Sequence, residues 1–437
     1  MNWPAYADYV ESNVPWLGAL PAHWTTPHLG HITDCLDAVR IPLNAAERAE
    51  VPGDVPYWGA NGVVGSVDRS LVDGELVLLG EDGAPFTDRT REKAFFVNEP
   101  IWPNNHIHVL RPSSGLHPKF LTHALNATDY SWFIEGSTRE KLTQGNMSSI
   151  PIALPPTTEQ CAIVDFLDRE TAKIDALIAK QEQLIATLRE DRAATITQAV
   201  TKGLDPNAEM KDSGADILGR IPQHWDLRAL KRLVARIDQG VSPQAFADLA
   251  DDGWGVLKSG CVNGGAFRDT EHKKLPTDFE INHDIAVRPG DLLVCRASGS
   301  PNLVGSAAIV RELRYQLILS DKTFRIIANQ LCVPDYLEWA MNARPYREQV
   351  LGAISGAEGL ANNLPMSSLR SFLFAVPPFS EQKAIVAHLD TRCSKIDALI
   401  DKSTEMIETL REYRSALITD AVTGKIDVWG WPDAAAS

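Results

Sequence analysis

The chain has 437 residues, 44% hydrophobic and 23% charged, an ordinary balance for a globular protein with room for two to four domains. A formal net charge of −15 excludes a protein that holds nucleic acid by a broad basic surface alone. No apolar run reaches the roughly 18 residues of a membrane span, and the start MNWPAYADYV has neither the basic nor the apolar part of a signal peptide.

In chain order, the first element of note is LGALPAHW, ending at Trp24. The variable segment after it reads as strands broken by turns. NGVVGSVDRSLVDGELVLLGEDG from Asn61 mixes β-branched residues with Gly and Asp, and AFFVNEPIWPNNHIHVL from Ala94 alternates into a strand at Ile107 and Val109. KFLTHALN from Lys119 predicts a short helix. Then Pro155-Pro156 stops the segment and opens a long helix, with Thr157 or Thr158 as N-cap ahead of Glu159 and Gln160. Apolar residues follow at steps of three and four: Ile163, Leu167, Ile174, Leu177, Ile178, Leu184, Ile185, Leu188, Ile196 and Val200. No Gly or Pro interrupts the run before Gly203. About 42 helical residues make a rod of roughly 60 Å.

The same plan then begins again. LGRIPQHW ends at Trp225, and a second variable segment carries strand-like runs in GDLLVCRASGS from Gly290, VGSAAIV from Val304 and LILSDKTFRII from Leu317. DYLEWAMN from Asp335 predicts a short helix, and Arg228, Lys231, Arg232 and Arg236 form a basic cluster at helical spacing. Pro377-Pro378 opens the second long helix, with Ser380, Glu381 and Gln382 repeating the first turn. Ile385, Leu389, Ile396, Leu399, Ile400, Met406, Ile407, Leu410, Ile418 and Val422 stand at the matching apolar positions. Over Pro155–Asp205 and Pro377–Asp427 more than half of the aligned residues are identical.

The chain is therefore two half-molecules in tandem. The expected fold is α+β: two globular domains separated by two long helices that form an antiparallel coiled coil, with a pseudo-twofold internal repeat. The boundaries are a first domain at 1–154, a first helix at 155–203, a second domain at 204–376 with a short leading linker, a second helix at 377–425 and a tail at 426–437. Ile163, Leu167, Ile174, Leu177, Leu184 and Leu188 are expected to pair with Ile385, Leu389, Ile396, Leu399, Met406 and Leu410. Repeated helices beside diverged domains suggest one scaffold with two specificities, the arrangement expected of a reader of two-part DNA sites.

Catalytic signals are weak. Val376-Pro377-Pro378-Phe379 approaches the Asp/Asn-Pro-Pro-Tyr/Phe of adenine methyltransferases, but valine accepts no hydrogen bond, and the first copy reads Leu154-Pro155-Pro156-Thr157. No glycine-rich cofactor loop or phosphate-binding lysine motif is present. Glu271-His272-Lys273 is too common a tripeptide to mark a nuclease, and His106 and His108 read as ordinary surface or core histidines. Cys35, Cys161, Cys261, Cys295, Cys332 and Cys393 form no C-x-x-C pair, which suits a reduced, cytoplasmic chain without zinc or disulfides. No metal and no catalytic residue is expected.

The residues resemble the specificity subunit of type I restriction–modification systems. Three features carry the resemblance: the leading Leu-Gly-x-x-Pro-x-His-Trp; the segment ends GSTREKLTQGNMSSIPIALPP from Gly136 and GAEGLANNLPMSSLRSFLFAVPP from Gly356; and Pro-Pro-x-x-Glu-Gln opening a helix that contains Lys-Ile-Asp-Ala-Leu-Ile. The resemblance implies two target-recognition domains, each reading one half of a split DNA sequence, with the helices as a ruler for the gap. Two methyltransferase subunits would dock on the helices and modify adenine at N6 with S-adenosylmethionine, which this chain would not itself bind. Nuclease and translocase subunits would join that core.

DNA contacts are then expected from polar loops. The first domain offers Asn61, Arg69, Arg89, Arg91, Lys93 and Asn104, with Arg139, Lys141, Gln144 and Asn146 at the segment end. The second offers Lys258, Ser259, Asn263, Arg268, Lys273, Lys274, Arg296, Ser298 and Asn302, with Asn362 and Asn363 at its end. Two other classes remain open at this stage: a coiled-coil protein-interaction scaffold without nucleic acid, which the acidic balance favours, and a solitary nuclease or methyltransferase.

Overall fold

The computed structural model describes residues 4–136, 140–354 and 362–429. Two compact units divide the chain: Met1–Gln183 with Ser403–Ser437, and Leu184–Lys402. Each unit thus takes the opening of one long helix and the close of the other.

Among the described residues, the two larger sheets of the first unit comprise seven strands: β1 (Thr33–Cys35), β2 (Val55–Gly59), β3 (Gly62–Val67), β4 (Glu75–Gly80), β5 (Ala94–Asn98), β6 (Trp102–Pro103) and β7 (Ile107–Pro112). One sheet runs β1-β7-β4-β5 and a second runs β3-β2-β6. The second unit has β8 (Val234–Gln239), β9 (Trp254–Leu257), β10 (His272–Lys274), β11 (Leu292–Cys295), β12 (Ala307–Ile309), β13 (Gln316–Ile318) and β14 (Thr323–Ala328). Its sheets run β8-β14-β11-β12 and β10-β9-β13. The strand order is the same in both units. So is the sense of pairing, since β6 and β13 each lie parallel to their neighbour in an otherwise antiparallel set. The diverged domains therefore share one topology, which their sequences conceal.

Burial explains why the central strands read as nearly unbroken apolar runs. In β4, Leu76 and Leu78 join Ile101, Ile107 and Val109 on one face. Val77 and Leu79 join Phe120, Leu121 and Leu125 on the other. β11 divides likewise, with Leu292 and Val294 in one cluster and Leu293 in another. Each fully buried leucine contributes about 2 kcal/mol by removal from water. The predicted short helices form at Pro118–Ala127 and Pro334–Ala340, each with proline in its first turn.

The long helices span Thr157–Lys202 and Phe379–Val422, 46 and 44 residues. Within each unit the two helix pieces run antiparallel. In the first unit Asp175 pairs with Arg414 at 3.0 Å, and seven residues on Glu182 pairs with Arg411 at 3.5 Å. In the second, Arg192 meets Asp397 at 2.9 Å, while a Cβ on Gly203 would lie 3.2 Å from Glu381.

The expected seam needs correction. Ile163, Leu167 and Ile174 are buried, as are Ile385, Leu389 and Ile396, while Leu188 and Leu410 are half-buried. But Leu177, Leu184, Leu399 and Met406 are 44–50% exposed. The packed face runs instead through Ile174, Ile178 and Ile185, with Ile396, Ile400 and Ile407 in the second helix. Leu177 and Leu184 each precede a seam residue by one position, which on a helix turns them about 100° away from it.

The repetition of the leading and helix-opening motifs has a physical reason: within each unit the two motifs touch. Gln160 Nε2 donates to the carbonyls of Pro155 (2.9 Å) and Gly115 (3.3 Å), and its Oε1 accepts from His117 N at 2.8 Å. Gln382 repeats the set with Pro377 and Leu331 carbonyls, both 2.9 Å, and Val333 N at 2.7 Å. Glu159 accepts from Trp24 Nε1 at 3.1 Å and faces His23 Nε2 at 2.8 Å, and Glu381 faces His224 Nε2 at 2.8 Å. The helices do not start on the expected threonine or serine caps. Pro156 and Pro378 carbonyls take the first amides, and Thr157 donates to Gly115 O at 2.9 Å. The basic cluster of the second segment does not lie along one helix. Arg228 lies in a strand paired with Leu373–Val376, Lys231 and Arg232 in a short turn, and Arg236 in β8.

Gln382 is wholly buried, so losing its amide strands the Val333 N–H away from water. Gln382→Ala should lower stability by about 2 kcal/mol in urea unfolding, against less than about 0.5 kcal/mol for the exposed Glu190→Gln.

Candidate nucleic-acid interface

At one end of each domain, three chain segments are held together by the same hydrogen bonds. In the first unit, Glu81 N donates to His106 O at 2.9 Å and Leu142 N donates to Glu81 O at 2.8 Å. In the second, Arg296 N donates to Lys322 O at 2.8 Å and Leu364 N to Arg296 O at 2.9 Å. The loop after the central strand, the turn before the last strand and the segment end ahead of the long helix thus meet at matching places. A buried leucine, Leu142 or Leu364, is common to both, while Glu81 and His106 stand where the second unit has Arg296 and Lys322.

In the second unit the rim is basic. A cleft of about 490 Å³ is lined by Lys258, Ser259, Lys273 and Lys322, with Glu271 and Asp321. Lys273 and Lys322 are exposed, and Lys258 is half-buried. Arg296 donates to Asp321 O at 2.8 Å and lies over the Phe324 ring. Ser298 pairs with Asn362 across a two-stranded ladder, with Asn363 beside it. The structure therefore brings together Lys258, Ser259, Lys273, Arg296, Ser298, Asn362 and Asn363. Asn302 is exposed on the loop that follows, and Lys274 turns aside to bond Asp252. Asn263 and Arg268 belong to a neighbouring hairpin, where Arg268 N donates to Cys261 O.

The first rim is a closed ion network. Asp37 accepts from His108 Nδ1 at 2.6 Å and from Val109 N at 2.9 Å. Arg40 bonds Glu81 and lies 3.2 Å from Asp37, and Lys141 lies 3.2 Å from Glu81. Asp37, Glu81 and His108 bring their ligand-type atoms within 4.8 Å of one another. Arg40 and Lys141 set two positive charges against these two carboxylates, so the trio serves as an internal charge network that locks the rim. Burial raises the pKa of Asp37 and of Glu81. The hydrogen bonds and positive charges around them outweigh that effect and hold both below the usual carboxylate range.

Other first-unit candidates scatter. Asn61 is exposed and donates to Gly83 O at 3.1 Å, which places it on the rim. Gln144 is exposed in the first turn after the segment end, and Asn146 is tied to Phe133 O and Glu135. Arg69 lies over the Trp102 ring, while Arg89 and Arg91 are exposed on a loop whose Arg89 carbonyl accepts from Ser415. Two candidates are not surface groups. Lys93 is 1% exposed with its ammonium on Asp88 O at 2.5 Å, and burial pushes its pKa down to about 8. Asn104 is buried and caps the turn at His106 N. Nothing in a bare sequence distinguishes a loop lysine from one folded under its own loop. Arg139 lies outside the described residues.

A family model described as the type I restriction modification DNA specificity domain matches residues 21–186. The chain is similar to the EcoEI specificity subunit of Escherichia coli, at 24% identity over 72% of this chain and 66% of that protein. The EcoKI specificity subunit of E. coli K12 is 22% identical over 73% and 68%. A shorter match, 33% identical over 33% of this chain, is to a Haemophilus influenzae protein described as the type I specificity subunit S.HindORF215P, and it spans 36% of that protein's length. A solved structure on complex assembly and conformational transition of the type I R-M system contains a chain of the same fold. Its TM-score is 0.60 at 17% identity, covering 92% of this chain and 98% of that one. Among the described residues no helix is long and apolar enough to cross a membrane.

The network around Asp37 carries a pH signature. Its folded pKa is depressed, so its contribution is full above the ordinary carboxylate range and is lost as pH falls through the lowered value. Asp37→Asn should cost about 2 kcal/mol at pH 7. It should also flatten the loss of thermal stability between pH 5 and pH 3, read by circular dichroism melts at each pH.

Proposed function

We propose that this chain is the sequence-reading subunit of a type I restriction–modification assembly, each of its two domains reading one half of a two-part DNA site. The observation that carries the reading is the matched rim. One strand order and one set of backbone hydrogen bonds present Glu81, His106 and Lys141 in the first domain and Arg296, Lys322 and Asn363 in the second. A common frame with unlike side chains is what two different half-sites require. The lysine-lined cleft suits phosphate and guanine edges, which answers the objection raised by an overall charge of −15. The basic groups are concentrated rather than numerous.

The chain itself carries out no chemistry in this reading. S-adenosylmethionine and the adenine-N6 methyl transfer belong to partner modification subunits in the cytoplasm, and cleavage belongs to restriction subunits. Two modification subunits would dock through the repeated helices. Leu177 matches Leu399 and Leu184 matches Met406 in the repeat, and all four are exposed at equivalent positions. Apolar side chains kept in duplicate off the packed seam suit a contact made twice.

Exchanging residues 27–150 for the matching domain of a related chain should change only one half of the sequence methylated by the assembly. A change in both halves would defeat the reading. Lys322→Ala should weaken DNA binding by the assembly across all sequences and reduce the slope of log affinity against log salt by about 1, measured by anisotropy between 50 and 200 mM salt.

A further inference from the structure

The charged groups in the cleft of the second unit do not neutralise one another. Lys258, Lys273 and Lys322 border it together with Glu271 and Asp321. Among the described residues, none of these ammonium or carboxylate groups takes a hydrogen bond or an ion pair. Acids elsewhere in the same unit are paired: Asp238 lies 2.7 Å from Arg325, and Asp269 lies 2.6 Å from Arg314. Opposite charges that share one cleft without meeting stay open to a ligand that offers both donors and acceptors. A row of phosphates offers acceptors only and is repelled by carboxylates, whereas the edges of bases in the major groove offer both.

Glu271 is the most firmly placed of these groups. Its N–H donates to Arg268 O at 3.2 Å, and its carbonyl accepts from Lys258 N at 2.9 Å, which extends the β9–β10 ladder by one residue. The next side chain, His272, is wholly buried. Its Nδ1 lies 2.6 Å from Asp269 O, and its Nε2 accepts from Ala250 N at 2.8 Å. Successive side chains of a strand point to opposite faces. With His272 locked inward, Glu271 and Lys273 both turn to the cleft, and both line it. Two residues apart on one face, they stand roughly 7 Å from each other along the strand. Gly260 leaves the carboxylate its room, since a Cβ there would stand 3.3 Å from Glu271 Oε2. The result is a fixed acceptor beside a long, mobile donor.

A carboxylate accepts hydrogen bonds and donates none. In the major groove the donors are the amino groups of cytosine and adenine. Adenine sets the acceptor N7 beside its amino group, against the lone pairs of a carboxylate. Cytosine presents its amino group alone, and the guanine paired with it offers N7 and O6 to a lysine. We propose that Glu271 is a specificity-determining residue of the second domain that accepts from cytosine N4, while Lys273 donates to the paired guanine. The proposal rests on the DNA-reading function given above.

The test uses the full chain with the modification subunits of the proposed assembly and duplexes carrying the sequence that the assembly methylates. In the half-site that exchange of residues 27–150 leaves unchanged, each cytosine on either strand is replaced in turn by N4-methylcytosine. This base still pairs with guanine but carries a methyl group in place of the amino hydrogen that faces the major groove. At one cytosine the replacement should weaken binding about ten-fold, the usual effect of losing one good base contact. Glu271→Ala should bind the plain and methylated duplexes equally at that position. In selection from duplexes randomised over the half-site, the variant should lose the preference for cytosine there alone. Full discrimination at its remaining positions and at the other half-site shows that the variant is folded. The inference is overturned if no cytosine of the half-site responds to N4-methylation, if Glu271→Ala keeps the penalty, or if the variant loses preference evenly across the half-site. Any of those results in an assembly with two-part specificity refutes this inference alone, whereas an assembly with no sequence preference refutes the function beneath it.

Discussion

A single buried amide at the start of each long helix holds the architecture together. Gln160 and Gln382 each satisfy two carbonyls and one backbone N–H in places water does not reach. Each amide fixes a helix to its own domain. Beside it, Glu159 or Glu381 fastens the histidine of the leading motif. At the far end of each helix a glycine with positive φ, Gly203 or Gly424, closes against Trp225 or Trp24, where a Cβ would meet the indole within 3.1–3.3 Å. The duplicated sequence therefore records a duplicated joint, and substitution of either joint leaves buried polar groups unsatisfied.

The joint leaves the rest of each domain free to diverge. The two domains keep the same order of seven strands and the same rim hydrogen bonds, but one rim is an internally neutralised ion network and the other an open lysine-lined cleft. Backbone contacts preserve the frame because they depend little on side-chain identity. Surface side chains at the rim cost little stability to exchange. That separation of frame from surface is what a scaffold with replaceable specificity needs physically.

The helices, their antiparallel pieces, the short helices at Lys119 and Asp335 and most strands were legible in the sequence, because apolar periodicity reports burial directly. The seam was displaced where leucines at 177, 184 and 399 outscored the neighbouring isoleucines. Hydrophobicity marks both a packed face and a face awaiting a partner, and spacing alone does not separate them. The basic cluster at Arg228–Arg236 misled for a related reason: its helical spacing carried no information about the strand partner at Leu373–Val376. Site residues were the least legible. Lys273 and Lys93 look alike in sequence, but one lines a cleft and the other is 1% exposed. The shared topology of the two domains left no sequence trace, since it resides in backbone pairing.

The most direct measurement is the methylome of cells expressing this chain with the modification subunits of the proposed assembly, read by single-molecule sequencing of genomic DNA. Two short specific runs, separated by a constant number of unspecified bases and modified on adenine, are the predicted result. A single uninterrupted recognition sequence, or modification without sequence preference, would contradict it.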